Sequence, residues 1–213
     1  MDYQKLSISL FVLLSIALFI QLTAGAGPLF HTCTIYQNFT ANSTYDKNLN
    51  ILLRGDISSI DCRTCVSEAT NAIRQICPYN IAANIWYEYC SLEYSNFNEF
   101  GYPLSTGYFL RSEYNVSSPI SSLVEIQKFL YGLSDEASVS KNLFAKGIKE
   151  LEGSLLLNVY GLVQCPLDLT PGNCSTCIKG RVDDLSDLFD GKGAQFVSTT
   201  CNVRYEFYPF FKT

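Results

Sequence analysis

Histidine is almost absent from this 213-residue chain, because His31 is its only copy. Serine and cysteine nucleophiles need a neighbouring base, most often histidine, to take their proton, and this histidine lies near the expected mature N-terminus. Adjacent carboxylates such as Asp183 and Asp184 point in different directions on a helix and favour a solvated face over an acid–base pair. The glycines at Gly191 and Gly193 indicate a turn, since no phosphate-binding loop precedes a helix here. We therefore expect no enzymatic activity, no catalytic residue and no cofactor.

Basic residues are also scarce, since 15 Lys and Arg face 20 Asp and Glu and give a net charge of −5. Neither a basic patch for nucleic acid nor a cationic helix for anionic membranes is present. The one long apolar run, residues 6–20, follows Lys5 and precedes a small-residue site at 24–26. This layout predicts a cleaved signal peptide over residues 1–26, because about 15 apolar residues are fewer than the roughly 20 that span a bilayer. We expect a secreted, extracellular protein without a membrane anchor.

Three N-glycosylation sequons fit such a chain: Asn38-Phe-Thr, Asn42-Ser-Thr and Asn115-Val-Ser. They predict glycans at Asn38, Asn42 and Asn115. A fourth sequon begins at Asn173 but adjoins a cysteine that we expect in a disulfide, so we predict that it is unused.

Cysteine is abundant by contrast, and its nine copies form two versions of one pattern. The repeated cysteines are Cys62, Cys65 and Cys90 in the first version and Cys174, Cys177 and Cys201 in the second. The two Cys-x2-Cys pairs lie 112 positions apart. In a secreted chain this repetition favours structural disulfides over a zinc site or a redox pair, and we expect no metal. The chain is predicted to be a tandem repeat, with a first domain at 27–100, a linker at 101–106 and a second domain at 107–213.

The cysteines that differ between the two versions indicate how the others pair. The second version lacks counterparts of both Cys33 and Cys77, and we align Leu110 and Phe189 with those positions. Spacing alone leaves the connectivity open, but this joint loss favours a bond between the two. The expected bridges are Cys33–Cys77, Cys65–Cys90, Cys165–Cys174 and Cys177–Cys201. Cys62 is then unpaired, and we expect it either buried on its helix or bridging two copies of the chain in a homodimer.

Apolar spacing predicts an α+β arrangement. Residues 62–76 carry apolar side chains at helical spacing, with Asp61 as the expected N-cap, and the second copy repeats this pattern. An earlier helix is predicted at Ser121–Leu133. Residues 202–207 alternate as in a half-buried strand, and residues 158–165 read as a buried strand. We expect each module to be an antiparallel sheet with helices on one face.

The first copy is shorter than the second. Between the matching sequon and the Cys-x2-Cys pair, the second copy has 59 positions and the first has 24. The first copy therefore lacks about 35 residues, which we take to include any version of strand 158–165, with the junction near Leu52 and Leu53. Losing a strand and part of a helix leaves apolar faces and a strand edge uncovered, so we expect the first module to be incomplete on its own.

Five segments around the cysteines carry a family resemblance. They are the C-x8-C-x2-C spacing at 165–177, NFTANSTY at 38–45, RGDISSIDCRTC at 54–65, VYGLVQC at 159–165 and CNVRYEFYPF at 201–210. These segments resemble the ginkbilobin-type (stress-antifungal) domain of plants, and the whole chain is similar to the cysteine-rich repeat secretory proteins. The resemblance implies a five-stranded antiparallel sheet with two helices in each complete domain, the pairing given above, and a defence or stress role in the apoplast.

Some members of that family bind mannose, which implies where a sugar site would lie. The family binds the sugar with three residues. The positions that correspond to them here are Thr34, Asn84 and Ser95 in the first module and Arg111, Gln195 and Glu206 in the second. Only Glu206 matches the residue that the family uses, and a lone carboxylate cannot supply the converging hydrogen bonds that hold a sugar. Taken by itself, Glu206 reads as a solvated strand residue.

Two functions remain open. The first is a defence- or stress-related carbohydrate-binding or antifungal-like protein with a degraded sugar site, in which Glu206 and Gln195 are weak ligand positions and mannose-type glycans are the partners. The second is a non-catalytic extracellular protein–protein interaction module without lectin activity.

Overall fold

The chain forms two antiparallel sheets, the first flanked by one helix and the second by two, in a computed structural model that describes residues 27–33, 49–95, 107–115, 123–151, 157–186 and 192–211. The strands are β1 (Phe30–Cys33), β2 (Leu49–Leu53), β3 (Ala82–Trp86), β4 (Cys90–Ser95), β5 (Gly107–Asn115), β6 (Phe144–Glu150), β7 (Asn158–Gln164), β8 (Lys192–Ser198) and β9 (Asn202–Glu206). The helices are α1 (Ser59–Ile76), α2 (Leu123–Val139) and α3 (Pro171–Ser186). The expected signal peptide and linker, the sequons at 38 and 42, and positions 34 and 189 lie outside the described residues.

The two sheets repeat one topology. The first has the strand order β1-β3-β4-β2 and the second the order β5-β8-β9-β7-β6, and every pair is antiparallel. In the first module α1 packs on β3 and β4, and in the second α2 and α3 pack on the sheet and on each other. The predicted α+β class is confirmed, and the second module has the full set of five strands and two helices.

The shorter first module lacks one strand and one helix, but not the strand that we expected. By position in the sheet, β2 corresponds to β7, so a version of strand 158–165 is present at Leu49–Leu53. The described part of the first module has no counterpart of α2 or of β6, the edge strand. The prediction that this strand is absent failed because β2 pairs in the sheet as β7 does, although β2 has neither the sequence of β7 nor the cysteine that follows it.

The face of α1 that would meet the missing helix is polar. In the second module α3 meets α2 through three polar pairs: Ser175 with Ser134, Lys179 with Asp135 and Asp183 with Tyr131. The residues of α1 at the matching positions are Arg63, Ser67 and Asn71, and all three are exposed. Because this face is hydrophilic, the first module loses little apolar burial through the absence of the second helix.

The N-cap of helix α1 lies three residues before the expected cap, Asp61. Its N-cap is Ser58, whose hydroxyl accepts the backbone N–H of Asp61 at 3.2 Å and donates to the Asp61 carboxylate at 2.8 Å. Asp61 is thus the third residue after the cap, and its negative charge lies in the first turn, where the helix dipole favours it. Helix α2 also extends six residues past the expected Leu133, because Ala137 is buried in the core.

Each module has its own core and its own disulfides. The bonds are Cys33–Cys77, Cys65–Cys90, Cys165–Cys174 and Cys177–Cys201, which are the four pairs expected from the joint loss of two cysteines. The first core is centred on Ala69, Ile73 and Ile85, and the larger second core includes Leu130 and Phe196. Cys62 is a free, half-buried thiol, at the position where Cys174 of the second module bonds to Cys165.

We expect Cys62 to be the one thiol that reacts in the native protein. A thiol titration should count one equivalent, and Cys62→Ser should abolish it with little change in the melting temperature.

Replacing Cys65 and Cys90 together by serine should lower the free energy of unfolding by about 3 kcal/mol, because that bridge joins residues 25 positions apart. A homodimer through Cys62 stays a prediction: a band of twice the monomer mass on a non-reducing gel, absent in Cys62→Ser, would establish it.

Candidate functional site at the boundary of the two modules

The two sheets meet face to face through equivalent rows of side chains. In the first sheet the row is Phe30, Trp86, Ser91 and Leu52, and in the second it is Tyr108, Val197, Asn202 and Gln164. The rings of Phe30 and Tyr108, which hold corresponding places in the two rows, have centroids 3.6 Å apart. The edge of Trp86 meets the same tyrosine at 5.7 Å. This aromatic contact removes apolar surface of both modules from water.

Gln164 joins the end of β7 to the chain just after β2. Its Nε2 donates to the carbonyl oxygen of Leu53, and its Oε1 accepts the N–H of Gly55 at 3.1 Å. One buried side chain thus satisfies two backbone groups of the other module. Gly55 is required by close approach, because a Cβ there would lie 2.7 Å from Cγ of Phe144 in β6.

A chain of ion pairs crosses the boundary beside this contact. Arg54 bonds to Asp56 at 2.7 Å and to Glu88 at 2.8 Å. The same Glu88 oxygen accepts from Arg204 of the second module at 2.5 Å, and Arg204 also pairs with Glu206 at 3.2 Å. The side chains of Arg54 and Arg204 are only 8% and 11% exposed. The arginines are shielded from water but the Glu88 side chain is 32% exposed, so solvent screens these pairs in part, less than it screens surface salt bridges.

The C-terminal segment folds over this chain of ion pairs. Arg204 donates to the hydroxyl of Tyr208 at 3.2 Å, and its guanidinium carbon lies 4.2 Å from the ring centroid of Phe210. Arg54 donates to the carbonyl oxygen of Phe210 at 3.3 Å. The last described residues therefore bind both arginines and help to close the site.

Burial and charge act in opposite directions on the site's titrating groups. Burial raises the pKa of the Glu206 carboxyl above its usual value of 4.5, although the charge of Arg204 and a hydrogen bond with Ser112 oppose it. Burial lowers the pKa of Arg204, but the carboxylates of Glu88 and Glu206 outweigh it and leave the pKa raised. The guanidinium therefore stays charged, and the carboxyl groups around it balance its charge.

Two of the sequence-predicted sugar positions of the second module, Glu206 and Gln195, are closed, whereas Arg111 is exposed. Glu206 is 4% exposed and occupied by Arg204, so the interpretation of it as a solvated residue is wrong. Its Oε2 would lie 1.9 Å from a Cβ at Gly193, which explains the glycine there. Gln195 is 8% exposed and donates to Oδ1 of Asn202 at 3.2 Å. These two residues lie on one face of the sheet but are engaged by its own side chains.

The alignment at Arg111 is wrong by one residue. Arg111 pairs with Ala194 as Cys33 pairs with Ala83, so Arg111, rather than Leu110, holds the place of the first cysteine. The position after it is Ser112, which hydrogen-bonds to Glu206. A register shift between 111 and 115 disturbs the strand here, and such a shift cannot be read from the spacing of cysteines.

The first module offers no open sugar site at the described positions either. The Nδ2 of Asn84 donates to the hydroxyl of Thr32 at 3.3 Å, and Ser95 is 9% exposed. Between the modules, Trp86, Gln164 and Asn202 line a cavity of about 20 Å³. That space holds about one water molecule, whereas small-molecule sites enclose roughly 300 Å³ or more.

The other sequence-predicted features can be placed briefly. His31 is an exposed residue of β1, and Asp183 bonds to Tyr131 and to Gln127 on α2. Within the described ranges there is no group of three or more His, Cys, Asp or Glu side chains placed to hold a metal ion. The helices in those ranges include none with the length and apolar character of a membrane span.

Sequence reasoning missed the residues that join the modules: Arg54, Glu88, Gln164 and Arg204. Two pairs, Arg54 with Asp56 and Arg204 with Glu206, lie two apart in the chain, and this spacing is the signal that could have paired them. The contacts between Arg54 and Glu88, Gly55 and Gln164, and Glu88 and Arg204 join residues 34 to 116 positions apart. No local pattern reports contacts at such separations.

These features define a two-module, disulfide-bonded α+β protein whose sheets face each other. The sequence model of the salt stress response/antifungal family matches residues 54–97 and 111–208, and the chain belongs to this family. The first match is less than half as long as the second, as expected for a shortened first module.

Individual relatives agree with the family assignment. An antimicrobial ginkbilobin-2-like protein of Castanea crenata is 34% identical over 232 aligned positions, which cover 94% of this chain and 95% of the relative. Cysteine-rich repeat secretory protein 38 of Arabidopsis thaliana is 36% identical over 220 positions, covering 87% and 86%. Both alignments are longer than the chain of 213 residues, so both relatives have residues where this chain has gaps.

A solved structure confirms the fold. The tandem DUF26 ectodomain of the Arabidopsis thaliana cysteine-rich receptor-like protein PDLP8 superposes with a TM-score of 0.65 at 21% identity. The superposition covers 86% of this chain and 99% of the ectodomain.

The bridging role of Gln164 can be tested by removing its amide. Gln164→Leu keeps the approximate volume but leaves the Leu53 carbonyl and the Gly55 N–H without their partner. We expect the free energy of unfolding in urea to fall by about 2 kcal/mol. Gln127→Leu is the control, because its amide bonds only within the second module at a partly exposed site. Equal losses in the two variants would contradict the bridging role.

The raised pKa of Glu206 predicts a pH dependence. The folded protein binds the proton of the Glu206 carboxyl more tightly than the unfolded chain does. The contribution of this proton to the stability of the folded state is therefore complete below pH 4.5 and is lost as the pH rises through the raised pKa. Glu206→Gln cannot titrate. We expect the unfolding free energy of the variant, minus that of the wild type, to increase with pH above 4.5 and then level off. A difference that stays flat, or decreases, across this range would refute the assignment.

Proposed function

We propose that the protein is a secreted plant protein of defence or stress that binds an extracellular protein and catalyses no reaction. The apolar leader, the four disulfides and the sequons support the secretory route. The names of its relatives, one antimicrobial and one secretory, support the biological setting.

One observation carries the choice of a protein partner over a sugar. The retained carboxylate of the family's sugar site, Glu206, is buried and paired with Arg204 beside the boundary between the modules. A sugar would have to displace this charged hydrogen bond and part of the C-terminal segment to reach it. Displacement would leave a buried guanidinium short of a partner, which costs several kcal/mol. The site is therefore better suited to holding the protein together than to binding a glycan.

Carbohydrate binding with an antifungal effect is the second candidate. It is favoured by the retention of Glu206 at the family position and by the relative named antimicrobial. It requires the chain of ion pairs around Arg204 to open, and in that case binding should depend on the Glu206 carboxylate.

A glycan array with mannosides separates the two candidates. The secreted, oxidised protein is applied alongside Glu206→Gln, after circular dichroism and a melting curve show that both are folded. We expect no mannoside to bind to either protein. Mannoside binding by the wild type that is lost in Glu206→Gln would contradict the proposal and establish the carbohydrate function.

A further inference from the structure

A cavity of about 150 Å³ lies in the first module, between α1 and the turn that joins β3 to β4. Asp61, Thr64 and Glu68 form its helical wall, because residues three and four apart share one face of a helix. Tyr87, Glu88 and Tyr89 form the opposite wall, and Cys65, bonded to Cys90, lies between the two walls. The exposed lining is mainly apolar, with carboxylates placed around it.

The charges around this cavity are almost all negative. Glu68 has no hydrogen bond or ion pair with any described residue, and Asp61 bonds only to Ser58 at the helix cap. Glu88 uses Oε1 for both Arg54 and Arg204. Glu68 and Tyr87 line the same cavity, and burial, followed by the charge of Glu68, raises the pKa of the Tyr87 hydroxyl.

The nearest cation does not neutralise the cavity. The guanidinium of Arg54 lies 4.7 Å from the ring centroid of Tyr89, but it is already paired with Asp56 and Glu88. Its contact with Tyr89 indicates that the rings of this turn are suited to guanidinium groups.

The second module has no such chemistry at the same place in its fold. The residues matching Asp61, Thr64 and Glu68 are Asn173, Thr176 and Gly180, and those matching Tyr87 to Tyr89 are Ser198, Thr199 and Thr200. Ser198 and Thr200 are buried there and bond to each other at 3.1 Å. Short hydroxyl side chains thus close the turn onto itself, whereas the tyrosines of the first module leave room beside them. The acidic, aromatic cavity is a property of the first module and not of the fold.

We propose that this cavity binds an arginine side chain of an extracellular partner protein. A guanidinium is planar, stacks on tyrosine rings and donates to more than one carboxylate at once, which matches the aromatic wall and the acids around it. An ammonium group has the charge but not the plane, so lysine should bind more weakly. The proposal rests on the proposed function, in that it supplies the chemistry by which a protein partner is recognised.

The test uses the mature, oxidised chain labelled with ¹⁵N and a blocked pentapeptide, Gly-Gly-Arg-Gly-Gly. Two further peptides replace the arginine by citrulline, which keeps the shape without the charge, or by lysine. We expect the arginine peptide to shift the amide signals of residues 61–68 and 87–89, the lysine peptide to bind more weakly, and the citrulline peptide to cause no shift. Binding should weaken as NaCl is added, because the carboxylates are at the surface.

A matched pair of variants shows whether the cavity is responsible. Glu68→Gln removes the carboxylate that has no partner, so it should leave the melting temperature unchanged. It should also lower the affinity for the arginine peptide about five-fold. Glu136→Gln makes the same charge change on the exposed face of α2 and should have no effect. Equal weakening by both variants, or shifts that lie outside the cavity, would overturn the proposal.

The two proposals fail in different ways. If the arginine peptide does not bind and the array also shows no mannoside binding, only the cavity proposal is overturned. Mannoside binding that depends on Glu206 would overturn the proposed function whatever the peptide does.

Discussion

The carboxylate of Glu88 holds together two arginines that belong to different modules. Arg54 and Arg204 are both about nine-tenths buried, and both donate to the same oxygen. Two guanidinium groups brought this close and largely removed from water repel each other unless an anion lies between them, and Glu88, itself 32% exposed, is that anion. Asp56 and Glu206 at the outer ends complete a chain of alternating charges. The packing of the two sheets, the bridge through Gln164 and the closure by the C-terminal segment all depend on this arrangement.

The same ion pairs occupy the residues of the second sheet that a sugar ligand would need. Side chains at the family's sugar positions face the boundary region, and Glu206 serves as the terminal anion of the chain of ion pairs. A residue that neutralises a buried arginine is not available to a ligand without a large cost. We therefore propose recognition away from this face, beside the turn between β3 and β4, where acids and tyrosines are at least partly exposed. Glu88 links the two regions, because its Oε1 binds both arginines and the residue also lines the cavity that we propose for recognition. Glu68, which has no such pair among the described residues, is the carboxylate that we expect a partner to bind.

Most of the architecture could be predicted from the sequence, because it follows from local periodicity and from a repeat. The joint absence of two cysteines gave the pairing, and apolar spacing gave α1 and β9. The errors have physical causes. Serine and aspartate are both good cap residues, so choosing Asp61 over Ser58 displaced the predicted helix start. Strand β2 was missed because the sheet pairing of β7 is kept without its sequence. The one-residue error at Arg111 arose at a register shift, which spacing does not reveal.

The candidate site was less predictable, because its residues come from distant parts of the chain. Gln195 and Glu206 were identified through the family resemblance, but their burial depends on Arg204, Asn202 and the neighbouring module. Glu88 carries no local signal of its own, and nothing near Arg54 in the sequence indicates its contact with Glu88. We expect Glu88 and Arg204 to be energetically coupled across the boundary, and a double-mutant cycle measures this directly. Urea unfolding of Glu88→Ala, Arg204→Ala and the double variant should give a coupling free energy of about 1–3 kcal/mol. A coupling near zero would show that the two modules do not depend on this ion pair and would contradict the account.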